Sequence, residues 1–383
     1  MDITICDATA YQYWRIPPVV QLLAVAPEAD IRLARVLTEG DLETLSARAA
    51  QAYEKCAVAH CGNAGEVYRT LLDAAPLLSL CGNAPFDVLA QDVRAIRESK
   101  LVKPRVWSAG APVGGTREAT DLFNVASPEF TLQQLAARAS LERTLLLASE
   151  LCGGFAVFRP PTEIANVIQR LCDNRSFPSI GGWEPCLDGN GRLTDLWKRP
   201  PLTTPKDLKH LAKTSDSSRG RARLSLAADL VVPGAASPFE VQAGILLGLS
   251  RRRGGAGLGG FEFNRRVSLT PDAALLAKRG SCSCDLYWDE GLDVECHSVA
   301  WHAERGSQLS DFTRETALEL MGIEVLPITY EQLSSLRQFD AIVRVITAKL
   351  GRKLPQKTES IQAAVNHLRM EVLGVDWPGL SNV

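Results

Sequence analysis

Two carboxylates and two imidazoles crowd into one short stretch of this chain. Asp285, Glu295, His297 and His302 fall within eighteen residues, and two of the five histidines lie only five positions apart. Asp289-Glu290-Gly291 reads as a tight turn joining two extended runs, so that Asp285 on the first strand and Glu295 on the second face one another. Strand residues two apart share a face, which aims Glu295 and His297 the same way. Paired carboxylates on one sheet face suit a hard divalent ion. Mg²⁺ or Mn²⁺ commonly takes one or two protein carboxylates and leaves positions for water and phosphate. An imidazole beside them exchanges protons near neutral pH. Each histidine, taken alone, reads more readily as a surface or hydrogen-bonded residue, and it is their clustering beside Asp285 and Glu295 that favours chemistry.

A phosphodiester substrate would need cations. Between Lys198 and Arg266 there are thirteen basic and five acidic side chains, an excess of eight in a chain whose net charge is −2. Lys206, Lys209, Lys213, Arg251, Arg252, Arg253, Arg265 and Arg266 are the candidates for contact with a nucleic-acid backbone. Helices that merely solvate themselves with Lys and Arg are the alternative. Gly254 to Gly260 is glycine-rich but lacks the Lys-Ser/Thr of a phosphate-binding loop and precedes a strand, so it reads as a turn. Cys282-Ser-Cys284 lacks a second ligand pair at zinc spacing and reads as two ordinary thiols.

Around these residues the expected element order is α-β-β-β-α-β-α. Ser237-Pro238-Phe239-Glu240 opens a helix, with Ser as N-cap and Glu240 placed for a capping box. Strand-like runs follow at Phe261–Leu269, Cys282–Trp288 and Leu292–Val299. A helix over Ser310–Met321, an apolar run Ile323–Ile328 and helical spacing over Tyr330–Leu350 complete the unit. In the helix Asp311 favours the N-terminal end, and Arg314 three residues on is placed either to pair with it or to reach phosphate. Trp301 reads as a packing residue.

Glu240 on a helix, then Asp285, then Glu295-x-His297 resembles the PD-(D/E)xK, or restriction-endonuclease-like, superfamily. Val294 to His302 (VECHSVAWH), Asp311-Phe-Thr-Arg314 and Gly322 to Thr329 are similar to very-short-patch repair endonucleases and their small nuclease-like relatives. The resemblance covers about 110 residues, from about 237 to 350. It implies an αβββαβ core, a metal at Asp285 and Glu295, and catalytic roles for Glu240, His297 and His302. It also implies Arg314 in the D-x-x-R element and DNA as substrate, in phage defence or DNA repair. The superfamily's usual lysine, two residues after the glutamate, is His297 here. A non-catalytic DNA-binding antitoxin or transcriptional regulator that keeps the fold is the alternative.

The rest of the chain reads as mixed α/β. At 383 residues, two or three domains are the expectation. Residues 1–126 combine a strand-like Ile3–Cys6, helical spacing over Glu39–Leu77 and short extended runs over 85–126. Residues 127–236 read as a helical, basic linker domain, with a loop or boundary at 173–202. Residues 237–350 form the nuclease-like domain and 351–383 a tail. Ser127-Pro128-Glu129 and Glu150-Leu151-Cys152-Gly153-Gly154 faintly resemble AbiEi-type abortive-infection antitoxins. No apolar run reaches the roughly 18 residues that span a bilayer, and no secretory signal pattern opens the chain. A cytoplasmic protein with reduced cysteines is therefore expected.

Overall fold

A computed structural model describes residues 3–59, 65–92, 94–297, 305–356, 358–377 and 379–380. The protein is a mixed α/β chain, as expected, with three separate sheets among the described residues.

The first sheet holds β1 (Thr4–Ile5), β2 (Phe86–Ala90), β3 (Val102–Val106), β4 (Thr116–Thr120) and β5 (Phe123–Ala126), in the order β3-β2-β1-β5-β4. The short strand β1 is central: it pairs with β2 and β5, and Ile3 and Ile5, which share one face, are buried. The helix Asp7–Tyr13 leaves β1 at once and packs on this sheet.

The second sheet, β6 (Phe155–Val157), β7 (Glu184–Leu187) and β8 (Leu193–Lys198), runs β6-β8-β7. It overturns the expectation of a loop across 173–202. Gly189, Asn190 and Gly191 build the hairpin turn Asp188–Arg192, where the Asp188 carboxylate accepts the N–H groups of Asn190 and Arg192 at 2.9 Å each. The middle region is therefore not purely helical.

The third sheet carries β9 (Phe261–Ser268), β10 (Ser281–Trp288), β11 (Leu292–His297) and β12 (Glu324–Thr329), in the order β12-β11-β10-β9. β9, β10 and β11 are antiparallel neighbours, and β12 returns parallel to β11 through the helix Arg305–Leu320. The alternating burial of β10 explains its legibility as a strand. The expected order lacked one element. A helix at Pro271–Ala277, capped by Thr270 with Pro271 at its first position, separates β9 from β10. The segment expected as one helix over Tyr330–Leu350 is two, Tyr330–Ser334 and Leu336–Lys349, because Ser335 is extended and caps the second.

Residues after 350 are not a tail. The helix Glu359–Leu373 packs on the helices Leu141–Leu151 and Pro238–Gly248. Trp377 then reaches the centre of the molecule, where its indole N–H donates to Glu150 at 3.0 Å. Glu150 is fully buried and also accepts from Arg15, the Tyr11 hydroxyl and the Val157 N–H. The Glu150–Gly154 segment thus sits at a core ion pair, and Gly153 is held tightly: a Cβ there would lie 2.8 Å from the Ala235 carbonyl oxygen. Among the described residues no helix is long and apolar enough to cross a membrane.

Candidate active site

The β10–β11 hairpin sets the geometry. Gly291 takes φ +84° in the turn, and its N–H donates to Trp288 at 3.0 Å. Leu292 lies opposite Trp288, Asp293 opposite Tyr287, and Val294 opposite Leu286. One further step of that register sets Glu295 across from Asp285. Along β11, Asp293, Glu295 and His297 are spaced by two and share a face.

β10 itself changes face at Asp285. Leu286 and Trp288 pack into the main core, whereas Cys282 and Cys284 pack with Ala273, Ala277, Ala317 and Leu318 in a second cluster. All four β10 residues are even-numbered, so a regular strand would keep them on one side. Across from this switch, between the Cys284↔Arg265 and Leu286↔Phe263 pairs, Asn264 of β9 is left-handed with φ +50°. A local kink of this kind re-aims a side chain, here Asp285. Cys282 and Cys284 are buried and form no disulfide.

The Asp285 carboxylate accepts the Cys296 N–H at 2.9 Å. Burial, with the nearby charges of Glu295 and Glu240, pushes its pKa up to about 8. Glu240 sits on the first turn of the helix Pro238–Gly248. Ser237 caps that helix, its oxygen accepting the Glu240 N–H at 3.2 Å. The reciprocal half of the capping box is displaced by one residue, because Glu240 accepts from the Ala236 N–H at 2.8 Å rather than from that of Ser237. Glu240 also accepts the Asn264 amide at 2.6 Å, which ties it to the kink facing Asp285. Burial raises its pKa, against three hydrogen-bond donors.

Two residues of the site escaped sequence reasoning in these roles. Asp293 is fully buried, and neither carboxyl oxygen has a hydrogen-bond partner. Burial and the adjacent Glu295 push its pKa up to about 10, so it carries a proton at neutral pH. Arg314, expected at phosphate or paired with Asp311, turns inward. One of its amino groups donates to Glu295 and to the Ser283 carbonyl, 3.7 Å from Asp293. Burial opposes this cation, but Glu295 holds its pKa above the usual guanidinium value. Burial would raise Glu295 too, yet protonated Asp293, Arg314 and His297 hold it below the usual carboxylate range. The available signal was the Asp293-x-Glu295 spacing, which marks a shared face.

His297 ends β11 opposite Thr329 and is half-buried, close enough to Glu295 to act on its charge. Trp301 and His302 lie outside the described residues, as does the Asp311 side chain. Among the described residues no group of three or more His, Cys, Asp or Glu side chains is arranged to hold a metal ion. Asp285 and Glu295 remain a pair of hard oxygen donors, with protonated Asp293 beside Glu295. That donor set fits the chemistry of Mg²⁺ or Mn²⁺ bound mainly by water and phosphate.

The candidate phosphate contacts separate into groups. Lys206, Lys209 and Lys213, with His210, line a hollow of about 450 Å³ along the helix Pro205–Thr214. Lys209 is paired with Asp229 at 2.6 Å. Arg265 pairs with Glu262, and Arg266 donates to the Ser281 hydroxyl at 2.9 Å. Arg251, Arg252 and Arg253 form a 3₁₀ turn against the helix Glu359–Leu373, where Arg251 donates to the Gln356 carbonyl at 3.1 Å. Comparisons with protein-family models, with curated proteins and with solved structures find no match to this chain.

Proposed function

We propose that this protein is a divalent-metal-dependent endonuclease of the PD-(D/E)xK type acting on DNA. The observation that carries the reading is the pairing of half-buried Asp285 with buried Glu295 on adjacent strands, where loss of solvent first and the charge of Glu295 second raise the Asp285 pKa to about 8. Carboxylates that repel each other in a dry site are a reservoir of unfavourable charge that a cation relieves. The order helix, β9, β10, β11, helix, β12 supports the same reading, with one added helix after β9.

In this scheme Asp285 and Glu295 are the metal ligands. Arg314 orients Glu295 through its hydrogen bond, and protonated Asp293 spares that site a further negative charge. His297 holds or moves a proton at the reacting water or leaving oxygen. Glu240 acts through Asn264, fixing the β9 kink opposite Asp285. Lys206 and Lys213 hold the phosphate backbone. A bound Mg²⁺ or Mn²⁺ supplies Lewis-acid polarisation of the phosphate and a more acidic water.

A second reading, a non-catalytic DNA-binding antitoxin or regulator, draws on the engagement of Glu295 by Arg314 and of Asp285 by the Cys296 N–H. Plasmid and linear duplex cleavage with Mg²⁺, Mn²⁺ or EDTA separates the two. Metal-dependent cutting that is lost in both Asp285→Asn and Glu295→Gln is expected. Cutting that persists in both variants sinks the nuclease assignment to this site. Salt-sensitive DNA binding without cutting supports the second reading.

A further inference from the structure

A cavity lies far along the chain from the carboxylate site, at the edge of the first sheet. It measures about 690 Å³, within the roughly 300–1,000 Å³ of small-molecule sites. Four cations line it, Lys103, Arg105, Arg138 and Arg159, with Asp87 as the lining carboxylate; behind the lining Arg138 pairs with Asp7, and Arg159 pairs with Asp195 at 2.6 Å. Leu80 and Phe158 supply an apolar wall.

The cations are held in place from behind. Arg138 is clamped by both oxygens of Asp7, a buried residue in the left-handed region with φ +54°. Gln134 secures that turn by accepting the Asp7 N–H at 3.0 Å. Arg105 donates through Nε to Asp87 at 2.7 Å, and Asp87 is fixed in turn by the Thr9 N–H and hydroxyl at 3.2 and 3.1 Å. Only one edge of the Arg105 guanidinium is used. Its two terminal amino groups have no partner among the described residues, although the side chain is only 26 % exposed. Lys103 lies two residues earlier on β3, which puts it on the same face. It is exposed and has no ion-pair partner among the described residues.

A half-buried guanidinium presenting a free fork beside an unpaired ammonium is suited to a phosphate group. The cavity has room for more than an inorganic ion, and its apolar wall suits a ring. We propose that this cavity binds a free phosphorylated small molecule of nucleotide size, with Arg105 and Lys103 on the phosphate and the Leu80–Phe158 side against the rest. Asp7 and Asp87 are positioning residues for the arginines.

Calorimetric titration of the full chain with AMP, ADP and ATP tests this. EDTA is included so that a nucleotide held through metal at the Asp285 site does not contribute. Saturable one-to-one binding of at least one nucleotide is expected, with no binding of adenosine. Lys103→Glu, at an exposed position, leaves the fold intact and weakens the interaction at least about tenfold. Arg105→Lys keeps the charge, loses the fork, and weakens it by about fivefold or more. Absence of saturable binding by all three nucleotides, equal binding of adenosine, or unchanged affinity in Lys103→Glu overturns the proposal. So does a 5′-phosphorylated oligonucleotide that binds at least tenfold more tightly than the free nucleotides, since the ligand is then a strand end.

Discussion

The Asp285 carboxylate accepts the backbone N–H of Cys296 at 2.9 Å, one residue beyond the Glu295 that its strand register places across from it. A side chain that reaches across to a neighbouring strand's backbone is fixed in direction without using a second side chain. It therefore keeps one carboxyl oxygen for another purpose while burial and Glu295 hold it protonated up to about pH 8.

That arrangement fixes a sign for stability. The folded-state pKa of Asp285 lies above its unfolded value, so the folded chain retains a proton that the unfolded chain gives up. The contribution is full below about pH 4 and is lost as pH rises towards about 8. Asp285→Asn removes the titration, so its melting temperature should exceed that of the wild type increasingly between pH 5 and 8. A gain of about 3 °C or more at pH 8 is expected. Mg²⁺ should recover stability in the wild type and not in the variant. Parallel melting curves against pH for the two proteins would count against a strained carboxylate at this position.

Arg314 is the cation that makes this cluster tolerable. Arg314→Met should destabilise the fold by about 3–5 kcal/mol, the cost of leaving buried carboxylates without their partner. Arg314→Lys should recover only part of this, because a single ammonium does not reproduce the guanidinium's set of donors. Urea denaturation measures both. A loss under about 1 kcal/mol for Arg314→Met would place the side chain in solvent, away from Glu295.

DNA affinity should depend on the lysine face of the helix Pro205–Thr214 more than on the arginine turn. Lys206 and Lys213 are exposed, whereas Arg251 is tied to the Gln356 carbonyl. Converting Lys206 and Lys213 to Glu should weaken binding to unrelated duplexes alike. It should also lower the slope of log affinity against log salt by about 2, one unit for each lost phosphate contact. Fluorescence anisotropy at several salt concentrations reads this out. A slope unchanged in that double variant removes the helix from the interface.

Local pattern made part of this legible. Strict alternation exposed β10, and the Ser-Pro and Thr-Pro starts exposed the helices at Pro128, Pro205 and Pro238. Thr270-Pro271 carries the same start, but its seven-residue helix is too short to show a periodic face. Asp293 was hidden for a different reason. An aspartate beside a turn ordinarily faces water, and nothing local tells that Arg314 and Glu295 close over it. Glu150 was hidden likewise, since its partners Tyr11, Arg15 and Trp377 come from distant parts of the chain. The face switch at Asp285 depends on the backbone of Asn264 in the next strand, which no pattern within β10 records.

His297 stands where the superfamily resemblance places a lysine, and its position on the Glu295 face gives the substitution a defined test. It lies two residues from Glu295 on β11, and its positive form favours the ionised Glu295 carboxylate. A lysine there would act as a fixed positive charge, whereas an imidazole also accepts and returns a proton. If His297 moves the proton, His297→Ala should cut the cleavage rate by about 10²-fold or more while DNA affinity stays within about twofold. His297→Lys should then remain as slow as His297→Ala at pH 7. If instead His297 acts only through charge, His297→Lys should recover wild-type cleavage and flatten the pH–rate profile. Single-turnover cleavage at saturating enzyme separates the two outcomes, because it reads the chemical step apart from binding. Full activity in His297→Ala would remove His297 from the reaction altogether and leave Asp285 and Glu295 as the only described residues with a direct part in it.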